Sequence, residues 1–194
     1  MEETKSTWDA SLIAFRPLAR ADFPLMLRWH NTPHVREWWQ LDPRTAEEIE
    51  AKYGPRVDQP SLTRGYIMLY DGQPVGFIQE YLIRDYPEYA SAIQVDEDAA
   101  GVDLFIGEES YVHRGLGPIL LRAFLHEVTF ARPDAGCCVI GPAESNATAI
   151  RAYEKVGFRY LKTIQVPGEP EPEALLRVTR AEVLAIGATA PDDE

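Results

Sequence analysis

The sequence predicts an α/β (α+β) fold, a mixed sheet with helices on both faces. Three observations predict it. Apolar runs at 66–70 and 74–83 flank Asp71-Gly72, a dipeptide that favours the tight turn of an antiparallel hairpin. From residue 101 to residue 179, strand-like and helix-like segments alternate, the pattern of a layered sheet-and-helix domain. Arg114-Gly115-Leu116-Gly117-Pro118 forms a two-glycine turn between a strand and a helix.

Residues 12–16 read as the first strand, closed by Pro17. Ala21-Asp22 starts a helix to about His30, with Phe23, Met26 and Leu27 on one face. Pro33 restarts a short helical segment through Trp39, and 43–53 reads as a further helix with Glu47 and Glu48 near its start. The hairpin follows. Residues 84–99 read as a loop and 101–106 as a strand. After Gly117 a helix places Leu121, Phe124, Leu125 and Val128 at helical spacing. Residues 137–140 read as a short buried strand. Ser145 or Asn146 caps a helix ending at Gly157. Strands are expected at 158–166 and 174–179, joined by a Pro/Glu-rich loop, with a frayed tail after about Ala185.

The 194 residues, 45% hydrophobic, suit one domain over 1–180 and a short tail over 181–194. No window approaches the roughly 18 apolar residues of a membrane span. The first six residues lack the order of a secretory signal, so a cytoplasmic protein is expected. Cys137 and Cys138 are adjacent and would point to opposite strand faces, so neither a disulfide framework nor a metal site is expected. The net charge of −12 speaks against nucleic acid and is compatible with a cationic small-molecule partner or with simple solubility. Monomer and homodimer are both compatible with the sequence. Nine acidic residues lie between Glu80 and Glu109, opposed only by Arg84.

In the run Tyr111-Val112-His113-Arg114-Gly115-Leu116-Gly117-Pro118, glycines allow a tight turn and close ligand approach. Pro118 suits a first helical position. The helix N-terminus offers unsatisfied N–H groups and Arg114 a cation, which together suit a pyrophosphate. A purely structural turn reads equally well from this run alone. The three-glycine Rossmann spacing and the Gly-Lys-Ser/Thr of a Walker loop are both absent.

Downstream, Asn146-Ala147-Thr148-Ala149-Ile150-Arg151-Ala152-Tyr153-Glu154-Lys155-Val156-Gly157-Phe158 resembles the second cofactor motif of the GCN5-related N-acetyltransferases. His113-Arg114-Gly115-Leu116-Gly117-Pro118 resembles that superfamily's first motif, although it ends in Pro. The resemblance runs from about Leu12 to Thr179. It implies a mostly antiparallel seven-strand sheet splayed near strands four and five, with acetyl-CoA as co-substrate and no metal. By that resemblance, Leu104, Phe105 and Ile106 would offer backbone groups to pantetheine. His113, Arg114, Gly115, Leu116, Gly117 and Pro118 would hold the pyrophosphate, and Asn146, Ala149 and Tyr153 would line the cofactor arm. Tyr153 would protonate the leaving thiolate; the alternative is a helix aromatic packed on the sheet.

Within the superfamily the chain looks most like the aminoglycoside 6′-N-acetyltransferases. Arg28 to Trp39 with its Glu-Trp-Trp end, the Asp71 to Tyr81 hairpin and Ala100-Gly101-Val102-Asp103-Leu104 carry that similarity. Gln79 and Asp103 fall at that family's spacing. Asp103 is unusual on physical grounds alone, because Asp is depleted within strands and a buried carboxylate needs a partner. It is either a structural ion pair or the group that holds the acceptor ammonium and takes its proton. Trp38 and Trp39 either wall the acceptor site or belong to the core. Glu80 and Glu88, with Asp96, Glu97 and Asp98, either receive further ammonium groups or are solvated charges. Two departures stand out. Gly141-Pro142-Ala143-Glu144 replaces the aspartate often found after the fifth strand, with Glu144 as a substitute, and 84–99 carries Tyr86 and Tyr89 but no tryptophan.

The reaction expected is direct attack by the amine on the thioester, with 6′-acetylation of an aminoglycoside as its product. Acylation of a siderophore hydroxylysine or another small amine is the alternative, because the Arg-Pro-Leu first strand and the Trp-rich early helix, with His34 and Trp38, also resemble relatives that acylate siderophores. A non-catalytic acetyl-CoA-binding or polycation-binding module is the third reading.

Overall fold

The computed structural model describes residues 8–39, 42–168 and 170–187. Its strands are β1 (Ile13–Pro17), β2 (Arg64–Tyr70), β3 (Gln73–Leu82), β4 (Ala99–Ile106), β5 (Cys137–Ile140), β6 (Arg159–Ile164) and β7 (Glu173–Thr179). They form one seven-stranded sheet in the order β1-β2-β3-β4-β5-β7-β6. Every pairing is antiparallel except β4–β5, which is parallel. Asp71 and Gly72 carry φ of 49° and 71°, the double positive φ of a tight hairpin turn.

Helices α1 (Phe23–His30), α2 (Pro33–Trp39) and α3 (Ala46–Asp58) cover one face of the hairpin. The Asp22 carboxylate joins β1 to α1 by accepting both Arg16 Nη groups, at 2.7 and 2.6 Å, and the Ala19 N–H. Trp29, Tyr53, Phe77 and Phe105 are buried between these helices and the sheet. The opposite face is covered by α5 (Leu116–Phe124), whose Leu120, Leu121 and Phe124 pack on Ile78 and Val102. Helix α6 (Ala147–Glu154) follows β5, and the Asn146 side chain caps it by accepting the Ala149 N–H at 3.0 Å.

Four sequence expectations need correction. Helix α3 does not stop at residue 53 but runs through Gly54-Pro55 to Asp58. A Thr45–Glu48 capping box starts it, and Arg20 pairs with both Glu50 and Asp58 near its end. Residues 84–99 are not all loop. Pro87 opens α4 (Pro87–Ile93), and Ile93 is buried beneath it. Helix α5 begins at Leu116 with Gly115 as its cap at φ 82°, so Pro118 is its third residue and not its first. Finally, β7 leads directly into α7 (Arg180–Gly187). Thr179 and Glu182 exchange hydrogen bonds at its start and Val183 is buried, so the first part of the expected tail packs on the domain. Residues 188–194 and 1–7 lie outside the described residues.

Candidate active site

The site grows from the place where β4 and β5 part. They pair only from Ala99↔Cys137 to Gly101↔Val139, while β4 continues to Ile106. Gly107 N–H donates to the Val75 carbonyl at 2.9 Å. Residues of an antiparallel strand alternate between bonding their partner and facing away. The β3–β4 register therefore turns the backbone groups of Asp103 and Phe105 to β3 and those of Val102, Leu104 and Ile106 away from it. His34 Nε2 lies 3.0 Å from the Ile106 carbonyl oxygen. The Leu104 and Ile106 N–H groups are left facing the gap, where a thioester carbonyl would find donors. Phe105 is a correction to the expected cofactor contacts. Its backbone faces β3, and its ring packs on Trp29, Trp39 and Phe77.

The gap continues to the start of α5. His113 (φ 57°) and Gly115 (φ 82°) bend the chain into the helix. A Cβ at Gly115 or Gly117 would meet no atom within 4 Å, so neither glycine is demanded by packing. Both leave open space in front of the first N–H groups of α5, which suits an anion. Leu116 is buried as the anchor of the turn. Arg114 is exposed; its Nη1 donates to the Ser110 carbonyl at 3.1 Å, and its guanidinium lies 5.4 Å from the Trp8 ring centre. The Arg114 carbonyl accepts the Trp8 Nε1–H at 2.7 Å. On the far wall, Ala149 and Tyr153 of α6 are half-buried. Burial, then the negative charge of Asp103, raise the Tyr153 phenol above its ordinary pKa. That second influence links Tyr153 electrostatically to Asp103 across the gap.

Asp103 is half-buried on the face of the sheet covered by α1–α3. Its Oδ2 accepts Gln79 Nε2 at 2.8 Å, and Gln79 Oε1 accepts Arg56 Nη1 at 2.9 Å. The chain Arg56–Gln79–Asp103 fixes the amide orientation of Gln79. Burial raises the Asp103 pKa, and the Gln79 hydrogen bond, Lys52, the Tyr81 hydroxyl and Arg56 work against that rise. Asp103 forms no ion pair within 4.0 Å among the described residues. The structural ion pair that would account for its presence in a strand is thus absent there.

The remaining expected acceptor residues divide. Trp38 is 45% exposed, whereas Trp39 is half-buried 4.9 Å from the Phe105 ring; of the two, Trp38 is the more open to an acceptor. Glu80 is corrected: strand alternation sends it to the face opposite Gln79, where it is fully buried, paired with Arg64 and 3.9 Å from Arg132. Nor is the acidic stretch largely unopposed, since Asp96 pairs with Arg177 and Glu108 with Arg28. Glu88 is exposed on α4. Glu144 is exposed and accepts the Thr163 hydroxyl at 3.1 Å, with no contact to Asp103 among the described residues. Lys52, Arg56 and Tyr81 were not anticipated. Tyr81 was discoverable, because it alternates with Gln79 on one strand face; Lys52 lay in the last turn expected for its helix and Arg56 beyond it. Cys137 and Cys138 are buried, and burial pushes both thiols above their usual range, away from nucleophilic use.

A parted parallel strand pair, a glycine turn at a helix start and a facing capped helix define an acyl-transfer scaffold, and comparison with known proteins agrees. Residues 19–166 match the family described as "Acetyltransferase (GNAT) domain". The chain belongs to this acetyltransferase family. Aminoglycoside N(6′)-acetyltransferase type 1 of Klebsiella pneumoniae is 29% identical over 160 residues, covering 81% of this chain and 79% of that protein. Lysine N-acyltransferase MbtK of Mycolicibacterium paratuberculosis is 28% identical over 153 residues, covering 76% and 66%. The solved structure of aminoglycoside acetyltransferase AAC(6′)-Ib with coenzyme A and kanamycin superposes with a TM-score of 0.76 at 27% identity, covering 89% of this chain and 98% of that one. Among the described residues no helix is long and apolar enough to cross a membrane.

Proposed function

We propose that this protein transfers acetyl from acetyl-CoA to the 6′-amino group of aminoglycosides, by direct attack within a ternary complex. The observation that carries the reading is Asp103. It is a carboxylate with no ion-pair partner among the described residues, oriented by Gln79, on the strand whose Leu104 and Ile106 turn their N–H groups away from β3. The likeness to an aminoglycoside N(6′)-acetyltransferase supports the choice of acceptor.

Acetyl-CoA supplies an activated acetyl thioester. Gly115, Leu116, Gly117 and the first turn of α5 would hold its pyrophosphate, with His113, Arg114 and Pro118 shaping that turn. The Leu104 and Ile106 backbone would align its arm, and the Leu104 and Ile106 N–H groups would stabilise negative charge developing on the acyl oxygen. Asn146 and Ala149 would line the other side. Asp103 holds the acceptor ammonium and takes up its proton directly or through water. Trp38 would flank the sugar. Tyr153, kept protonated by its raised pKa, donates a proton to the departing sulfur. The site uses no metal in this scheme, and we place the reaction in the cytoplasm.

Ionised Asp103 is the working form, so activity falls as pH drops through its raised pKa. Gln79 donates to the carboxylate and so holds that pKa down. In Gln79→Leu the acidic limb of log kcat/KM against pH is therefore expected to move to higher pH. An unmoved limb would separate Gln79 from the titration of Asp103.

A second reading, N-acylation of a lysine or hydroxylysine side chain, is favoured by one observation: Lys52 and Arg56 flank Asp103 where a polycation would prefer acids. Release of free thiol from acetyl-CoA with kanamycin, tobramycin or hydroxylysine separates the two. The proposal expects release with the aminoglycosides; release with hydroxylysine alone would replace it by the second reading.

A further inference from the structure

Lys52 projects from α3 into the acceptor side of the site. Its Nζ lies 5.7 Å from the centre of the Trp39 ring and 5.4 Å from that of Tyr53. Those rings pack on Phe105 and Phe77, at 4.9 and 5.5 Å. Phe105 and Phe77 share strand faces with Asp103 and Gln79. Arg56, one turn later on α3, donates to Gln79 at 2.9 Å, and Gln79 donates to Asp103 at 2.8 Å, so this part of α3 lies over Asp103; among the described residues Lys52 makes no ion pair within 4.0 Å. The other charged or titratable groups around it are identifiable. Arg56 is one turn later on α3 and Arg44 precedes the helix, and both repel it. Glu48 is committed to the Thr45 N–H and Arg44, and the Tyr53 hydroxyl is engaged with His30 at 2.9 Å. Asp103 is the carboxylate that stabilises the ammonium.

We propose that Lys52 is a specificity-determining residue that shares Asp103 with the incoming acceptor, so that a cationic acceptor enters as Lys52 gives up a proton to solvent. The inference rests on the reading that the acceptor amine docks at Asp103. Two ammonium groups beside one half-buried carboxylate disfavour each other's charge. Lys52 is the one that yields, because burial and the two arginines have already lowered its pKa to about 8. Below that pH the free protein carries charged Lys52, and binding must expel the proton. Above it Lys52 is already neutral and binding is unopposed. Acceptor affinity therefore rises with pH up to about 8, through Lys52. The device favours acceptors presenting one amine at Asp103 and penalises those crowding several charges there.

The test is calorimetric titration of the whole protein with kanamycin at pH 7, in two buffers of different ionisation enthalpy. Wild type, Lys52→Met and Lys52→Gln are compared, the second variant keeping a polar side chain should the first fail to fold. Wild type is expected to release up to about one proton more per bound kanamycin than either variant. The variants are expected to bind about tenfold more tightly at that pH. A purely structural role for Lys52 would move stability but not the proton count. Equal proton release with binding intact would overturn the inference alone. No binding to any of the three proteins would overturn the acceptor reading, and the inference with it.

Discussion

Replacing Asp103 by asparagine is expected to lower kcat by about 10²-fold or more, while acetyl-CoA binds as before. Asparagine keeps the volume and can still accept the Gln79 amide hydrogen, so the Arg56–Gln79 chain stays in place. What is lost is the charge that holds the acceptor ammonium and the base that relieves it of a proton. The cofactor groove is spared, because Asp103 faces α1–α3 whereas the groove uses the outward backbone of Leu104 and Ile106 and the turn at Gly115. The folded protein already disfavours the charged form of this carboxylate, so the variant should hold or raise Tm. Steady-state kinetics with a separate acetyl-CoA titration checks this. Near wild-type turnover would remove Asp103 from the mechanism.

The second large effect lies on the other side of the gap. Gly117→Val is expected to weaken acetyl-CoA binding by about tenfold or more with little change in Tm. Apart from its chain neighbours and its own helical turn, no atom lies within 4 Å of a Cβ placed there, and valine is no poorer a helix former than glycine. The added methyl groups would instead occupy the space in front of the N–H groups of α5. Gly115 gives a less clean test, because its φ of 82° strains any other side chain and mixes stability with binding. Unchanged acetyl-CoA affinity in Gly117→Val would move the pyrophosphate away from this turn. The two substitutions should also separate kinetically, Asp103→Asn acting on kcat and Gly117→Val on the KM for acetyl-CoA.

Much of this arrangement was legible from local sequence, and the reason is physical. The Asp71-Gly72 turn, the Asn146 cap and the Cys137–Ile140 strand depend on neighbouring residues alone, and each stands where turn and capping chemistry puts it. Asp103 was marked by its residue type within a strand and Gln79 by the family resemblance, and pairing across β3 and β4 brings them together. Less legible was whatever tertiary context decides. The third helix reads as ending at residue 53, yet pairing of Arg20 with Glu50 and Asp58 accompanies α3 past Pro55. That longer helix carries Arg56, and with Lys52 it changes the charge of the acceptor side. Glu80 reads as part of an acidic surface, because a composition count does not register that adjacent strand residues face opposite ways. Its position next to Gln79 was enough to place it on the other face. The α4 and α7 helices are short and lean on buried Ile93 and Val183, contacts with partners distant in sequence.

The most direct test of 6′-acetyl transfer is thiol release from acetyl-CoA with a matched pair of aminoglycosides that differ only at C6′, one bearing an amine and the other a hydroxyl. The expected result is release with the amine, one acetyl per acceptor on the 6′-nitrogen by mass spectrometry and NMR, and no release with the hydroxyl. Equal release with both, or acetylation at another amine, would contradict it.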